Sequence, residues 1–330
     1  ELLGDEEALA SRRQAGPGAT LALTLVVTLE AVYRSLGEED LEARKQALYD
    51  IAAVGFRAGE RAVAEVAGRL EDGSPQVRRA ALWAWPRVAK RGDAHAVAEV
   101  VRRLQHQDVD VRRAAREAVF QVAERGDAQA VAAVLQCMTS EDTDVRSEAV
   151  EALPRIAEQD CERAIAAAAA CLEDRQHLVR CAVLLALPRI ASVGNAAAIA
   201  AVTSRLDHPD CVVQRAAMIA LPKLVERGDL DVATLVIARL KDQQCDLGVM
   251  RAAMQALAKI GEVGDKRTIK MITPHLHHPD ALVRRAAVEA LSWIAESRDK
   301  HIIHRVKKLR EDSHEIVREA ARTTLAELRH

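Results

Sequence analysis

The side chains of this chain that could do chemistry are its histidines, its cysteines and its columns of charge. His301 and His304 stand three apart, which puts both on one face of a helix, and His275, His277 and His278 cluster near a helix end. Iron or zinc would need further carboxylates or thiolates converging on them, and the histidines read as turn and surface residues. None of the six cysteines, Cys137, Cys161, Cys171, Cys181, Cys211 and Cys245, forms a CxxC pair. Cys137 and Cys171 are 34 residues apart at equivalent places in the chain, too far for a disulfide between neighbours, and read as small buried hydrophobes. As reduced thiols the cysteines imply an intracellular, reducing compartment, cytoplasm or organelle. No Gly-rich phosphate loop, Ser-His-Asp arrangement or nucleophile elbow stands out. The expectation is a chain with no catalytic site, no cofactor and no metal.

The charges fall in columns. Asp108, Asp142, Asp210 and Asp280 each lie three before a repeated apolar position, and Arg112, Arg146, Arg180 and Arg284 lie just after one. Such a column reads as a ladder of turn caps and salt bridges between stacked units, with a phosphate-binding stripe as the sharper alternative. Further rows carry Arg87, Arg155, Arg189, Lys223 and Lys259; Arg79, Arg113, Arg215, Arg251 and Arg285; and Glu124, Glu158, Glu226, Glu262 and Glu296. A basic row beside an acidic one reads as a solvated, self-neutralising face or as a dock for a charged protein. With 47 basic and 49 acidic residues the formal net charge is −2, so no global field calls for nucleic acid or an anionic membrane. Aromatic residues make up only 2 %, leaving few rings for base stacking.

The elements that must position these residues show themselves as a repeat. Val77-Arg78-Arg79-Ala80-Ala81 returns in pattern at Val111, Val145, Val179, Val213, Val249, Val283 and Val317, each step being 34 except the 36 from Val213 to Val249. The two extra residues are assigned to the loop Asp242-Gln243-Gln244-Cys245-Asp246, and Ala43-Arg44 is a degenerate first copy. Counting each anchor as position 0, apolar or small residues fall at 0, 3, 4, 7, 8 and 11, as in Val283, Ala286, Ala287, Ala290, Leu291 and Ile294. This is a helical period with a wide buried stripe. A break such as Gly92-Asp93, Gly126-Asp127, Gly194-Asn195, Gly228-Asp229 or Gly264-Asp265 follows, then a second helix, then a polar turn such as His208-Pro209-Asp210. Glycine ends one helix in the left-handed conformation, and Asp or Asn caps the next. A hairpin of this size cannot bury both faces alone, so neighbours must stack. Pro86, Pro154, Pro188 and Pro222 all occupy position 9, where Phe120 and Ala258 stand in other copies, and proline within a helix predicts a bend there.

The turn and Val-Arg pattern, as in Asp108-Val109-Asp110-Val111-Arg112 and Asp142-Thr143-Asp144-Val145-Arg146, resembles HEAT repeats. The Gly-Asp connection resembles the HEAT-like repeats of the phycobilisome-lyase type. The resemblance covers about residues 20–330 and implies an all-α, α-α superhelix, a HEAT-like solenoid of ~34-residue hairpins, right-handed and curved with the Val-Arg helices on the concave side. It implies a scaffold or accessory subunit of a larger complex; the alternatives are a bilin-lyase-like chromophore-handling protein and a nucleic-acid-binding solenoid. Deoxyhypusine hydroxylase, a HEAT-like enzyme, binds iron through several His-Glu pairs. This chain has one, His314-Glu315, which argues against that activity.

Residues 1–18 read as a flexible or partner-bound tail, and 19–330 as a single solenoid of about nine repeats with incomplete terminal copies. Leu325 and Leu328 fall on the buried stripe of the last first helix. No apolar run reaches the ~18 residues of a membrane span, the best being Thr20 to Ala31 with Glu30 inside it. Peripheral association with a membrane complex is compatible with this. The partners expected are one or more proteins and no nucleic acid. Their anchor is placed where position 6 changes from Glu117 and Glu151 to Leu185 and Ile219. Trp83, at the same position of an earlier copy, joins Cys181, Leu185, Arg189, Arg215, Ile219 and Lys223 as the candidate binding set, since an outward aliphatic residue gains by burial against a partner.

Overall fold

The structure, a computed structural model, describes residues 28–240 and 246–329. The predicted tail, most of the Thr20–Ala31 run and the inserted loop with Cys245 lie outside the described residues. The chain divides into two compact units, Glu1–Cys137 and Met138–His330. Among the described residues both are helical throughout, without strands.

The first unit has a helical stretch at 28–35. It continues with α1 (Leu41–Val54), α2 (Gly59–Gly68), α3 (Pro75–Val88), α4 (Ala94–Val101), α5 (Val109–Val122) and α6 (Ala128–Cys137). The first helices α1, α3 and α5 stack in sequence, as do the second helices α2, α4 and α6. Trp85 is fully buried and its indole N–H donates to the Ala118 carbonyl of the next repeat at 3.0 Å. The ring's polar handle is thereby satisfied inside the core.

The second unit repeats the plan through α7 (Thr143–Ile156), α8 (Glu162–Ala170), α9 (His177–Ile190), α10 (Ala196–Thr203), α11 (Cys211–Ala220) and α12 (Leu230–Leu240). It ends with α13 (Leu247–Ile260), α14 (Lys266–Ile272), α15 (Ala281–Ile294), α16 (Lys300–Lys308) and α17 (Glu315–Glu327). Its first helices α7, α9, α11, α13, α15 and α17 stack in order. The stripe at 0, 3, 4, 7, 8 and 11 is the core. In α15 its six residues are at most 3 % exposed, and Leu325 and Leu328 of the last copy are also buried. Alanine at positions 3 and 4 lets neighbouring helices approach closely, and each fully buried Leu or Ile contributes about 1.5–3 kcal/mol.

The aspartate column caps helices. Asp108, Asp142, Asp210 and Asp280 each accept from backbone N–H groups of the helix they precede, satisfying donors that a helix start leaves free. Other carboxylates carry bonds between hairpins. Arg44 pairs with Asp72 at 3.0 Å, Arg146 with Asp174 at 2.7 Å and Arg284 with Asp312 at 2.7 Å, in each case reaching the turn before the next repeat. Arg78 instead reaches Asp110 at 2.8 Å. The same arginines also donate to carbonyls of their own turn, Arg284 to His278 at 2.8 Å and to Pro279 at 2.9 Å. A planar fork with five donors does both jobs at once.

The glycine turns take the left-handed conformation, with φ of 78° at Gly92, 93° at Gly228 and 84° at Gly264. The N–H of Gly228 donates to Ile260 O and that of Gly264 to Ile294 O, so each turn also ties its repeat to the next. Side chains of the acidic row, Glu262 and Glu296, lie over these two glycines, where an added Cβ would meet a carboxylate oxygen at 2.6 Å. Two repeats lack the glycine, and Asp160 (φ 60°) and Arg298 (φ 65°) adopt the same backbone. Asp160 is held by bonds from Ser192 N, Ser192 Oγ and Asn195 Nδ2 at 2.7, 2.6 and 2.8 Å. These keep its carboxyl below the ordinary range.

The prolines do not all act alike. The helices holding Pro86, Pro154 and Pro188 run the same 14 residues as those with Phe120 and Ala258. At Pro222 the α-helix stops at Ala220 and Leu221–Lys223 forms a 3₁₀ turn.

Candidate functional site

Positions −1 and 6 of a first helix are seven residues apart, two turns, so they share a face. In α9 they are Leu178 and Leu185, which are 52 % and 66 % exposed. In α11 they are the half-buried Val212 and Ile219, the latter 41 % exposed. In the first unit position −1 holds Gln76 and Asp110 instead, and Asp110 is engaged by Arg78. Sequence reasoning found the switch at position 6 and missed the same switch at position −1, which was equally visible in Leu178, Val212, Leu282 and Ile316.

Cations rim this face. Pro188 has no N–H to give the carbonyl of Leu184, four residues back. Lys223 fills the place, its Nζ donating to Leu184 O at 2.7 Å, and so joins the end of α11 to α9. Arg189 is exposed, and among the described residues it has no carboxylate partner. Arg215 and Ile219 line a cleft of about 300 Å³ with Arg251, Leu282 and Arg285. Arg285 pairs with Glu289 at 2.5 Å. Those two also line a second cleft of about 460 Å³, with Ile316 and a Trp293 that is 62 % exposed. The arginines of this extension stand in a row visible in the sequence. Trp293 gave no signal, since it occupies a position that is basic in most copies.

The predicted set is therefore placed as follows. Leu185, Arg189 and Cys181 lie on α9, Arg215 and Ile219 on α11, and Lys223 in the turn after α11. Cys181 is half-buried, its Sγ 3.4 Å from the His177 ring. Trp83 belongs to the first unit, edge-on to Tyr49 at 5.1 Å and beneath the Arg87 guanidinium at 3.7 Å. It is 46 % exposed. Burial pushes the Cys171 thiol up to about 11, helped by the nearby Asp174 carboxylate, so it stays protonated at neutral pH. Among the described residues no three His, Cys, Asp or Glu side chains gather to hold a metal, and no helix is long and apolar enough to cross a membrane.

A family model described as HEAT repeats matches residues 115–188, 131–221 and 237–326, which together cover more than half of the chain. The chain is a HEAT-repeat protein. A second model, HEAT repeat associated with sister chromatid cohesion, matches residues 64–82. Among solved structures, a mutant of Kap121p is 15 % identical with a TM-score of 0.69, and Kap121p itself is 14 % identical with a TM-score of 0.65. Each alignment covers 91 % of this HEAT-repeat chain and 37 % of the other, so the chain spans little more than a third of their length. At such identity the likeness establishes the fold, an all-α solenoid. Human deoxyhypusine hydroxylase in complex with glycerol is 19 % identical over 84 % of this chain and 99 % of that one, with a TM-score of 0.34, too low to bear on function. No curated protein matches the sequence.

Proposed function

We propose that this HEAT-repeat protein is a non-catalytic scaffold that holds one or more protein partners, as an assembly or accessory subunit of a larger complex. The partner contact lies on the outward face of α9 and α11. The observation that carries this is the pair Leu185 and Ile219, exposed on neighbouring helices where other repeats place glutamate. An exposed carboxylate is at home in water, whereas an exposed aliphatic side chain gains by leaving it. Arg189 and Arg215 beside them orient a partner and raise its association rate more than its affinity.

The test is a double substitution, Leu185→Glu with Ile219→Glu. Neither residue lies on the core stripe, so the variant should keep the wild-type helicity and melting temperature. It should weaken capture of the partner found by crosslinking at position 185 by about tenfold or more, the loss expected for two anchor side chains. A variant that unfolds would make these residues part of the core. One that folds and binds at full strength would move the contact elsewhere.

A further inference from the structure

The outer face of α16 carries a concentration of positive charge that the chain's balanced total conceals. Lys300, Arg305, Lys307, Lys308 and Arg310 are all exposed, and among the described residues none of them has a carboxylate partner. Three histidines, His277, His301 and His304, stand among them. Two clefts, each of about 500 Å³, meet along α16 and share His304 and Lys308. Glu311 is the only carboxylate among the described residues that line them. Four other arginines of the second unit are used internally, in the Arg146–Asp174, Arg205–Glu173, Arg239–Asp207 and Arg284–Asp312 pairs. Cations left unpaired so close together, on α16 and in the turn after it, mark a surface, and their own repulsion stands uncompensated until an anion arrives.

The extent of the patch narrows the anion. Of the preceding second helices, α14 continues it with the exposed Lys266, Arg267 and Lys270, and the patch ends there. The helix α10, with sequence AAAIAAVT, has no charge at all, and the one cation of α12, Arg239, is already paired. A nucleic-acid backbone would need a longer track, and no ring lines either cleft for a base to stack on. Ile302 and Val306 face the core and Ile303 is half-buried, which leaves α16 no exposed apolar edge to enter a lipid surface. Along α16, Lys300, His304 and Lys308 recur every four residues, about 6 Å apart at 1.5 Å per residue. In an extended chain the side chains on one face recur at about 7 Å.

We infer that the outer face of α16 is a dock for a short acidic segment of a partner protein, laid extended along the helix with its carboxylates meeting Lys300, Lys307 and Lys308. Position, chemistry and helices all differ from the α9–α11 face, so the two contacts stand or fall separately.

The test uses the full chain and three fluorescent probes of equal charge measured by anisotropy: an oligoglutamate peptide, an oligothymidylate strand, and vesicles containing phosphatidylserine. The peptide should bind best and release as salt rises. Lys307→Glu with Lys308→Glu should weaken it about tenfold or more, while Leu185→Glu with Ile219→Glu leaves it unchanged. Should the charge-reversed protein lose helicity, Lys307→Gln with Lys308→Gln serves in its place and should weaken binding severalfold. Tighter binding of oligothymidylate or of vesicles than of the peptide overturns the inference. So does a folded Lys307, Lys308 variant that binds the peptide as well as the wild type.

Discussion

Arg284 and the cations of α16 lie in adjoining helices of the same unit and do opposite work. Arg284 is buried, forks onto Asp312 and donates to two carbonyls of its own turn. Lys300, Lys307 and Lys308 are exposed and, among the described residues, have no carboxylate partner. In the first case the charge is committed to holding repeats in register. In the second it is available to another molecule. Residue type and spacing alone do not separate these roles. The partner two turns away in the neighbouring hairpin does.

Breaking the internal member of this comparison should have the largest effect. Arg284→Ala leaves Asp312 buried without its cation and frees the carbonyls of His278 and Pro279. Removing one partner of a buried pair typically costs about 3 kcal/mol or more, so chemical denaturation of the variant should show a loss of that order. A loss under about 1 kcal/mol would mean that the pair is solvated and the staple decorative.

Acid should sharpen the same contrast in two steps. Burial, reinforced by the neighbouring His278, holds His275 below its ordinary value. The unfolded chain therefore binds more protons than the folded one just below 6.5, and stability falls as pH drops through that window. The Arg284 hydrogen bond holds Asp312 below its ordinary value. Asp174, although burial alone would raise it, is held low by Arg146 and the Gln176 N–H. A depressed carboxyl contributes stability that is intact above its unfolded value of about 4 and is lost as pH falls through its folded value. Melting temperatures followed from pH 7 to pH 2 should show both declines. His275→Gln should remove the first, and Asp312→Asn should shrink the second.

The fold was legible because the repeat states it nine times. The core stripe, the aspartate caps and the left-handed glycines all stand where the spacing put them. What was less legible was which partner in the neighbouring copy each side chain meets. The pairing of Arg146 with Asp174 skips the caps on which the column was read, and members of the exposed glutamate row also lie over glycines of the preceding repeat. Position −1 of α9 and α15 went unread because a leucine at the start of a helix looks like an ordinary staple until its exposure is seen. The basic face of α16 was hidden by averaging, since net charge over the whole chain dilutes one helix among many.

The turns give a smaller, sharper comparison. Asp160 and Arg298 share a backbone that costs a non-glycine residue about 1 kcal/mol or more. Asp160 recovers this through three hydrogen bonds to the next repeat. Arg298 has no such side-chain bonds among those of the described residues, though its N–H donates to Leu328 O at 2.8 Å. Arg298→Gly should therefore stabilise the protein by about 0.5–1 kcal/mol, whereas Asp160→Gly should be neutral or destabilising. Equal gains at both sites would show that the Asp160 bonds contribute nothing.

The smallest effect belongs to the exposed cations themselves. Replacing Lys307 and Lys308 by Gln removes two charges that touch no carboxylate, and surface changes of this kind stay within about 0.5 kcal/mol. Relief of repulsion on α16 pushes the sign slightly toward stabilisation, more so at low salt, where screening is weak. Arg284→Lys supplies the matching conservative change at the internal site. Lysine keeps the charge but cannot fork between Asp312 and two carbonyls, so that variant should lose roughly 1–2 kcal/mol, the worth of the charge-assisted bonds forgone. Measured side by side at two salt concentrations, the pair decides the comparison. If removing charge from α16 harms stability as much as conserving it at 284, the two sets of cations do the same work and α16 has nothing left to offer a partner.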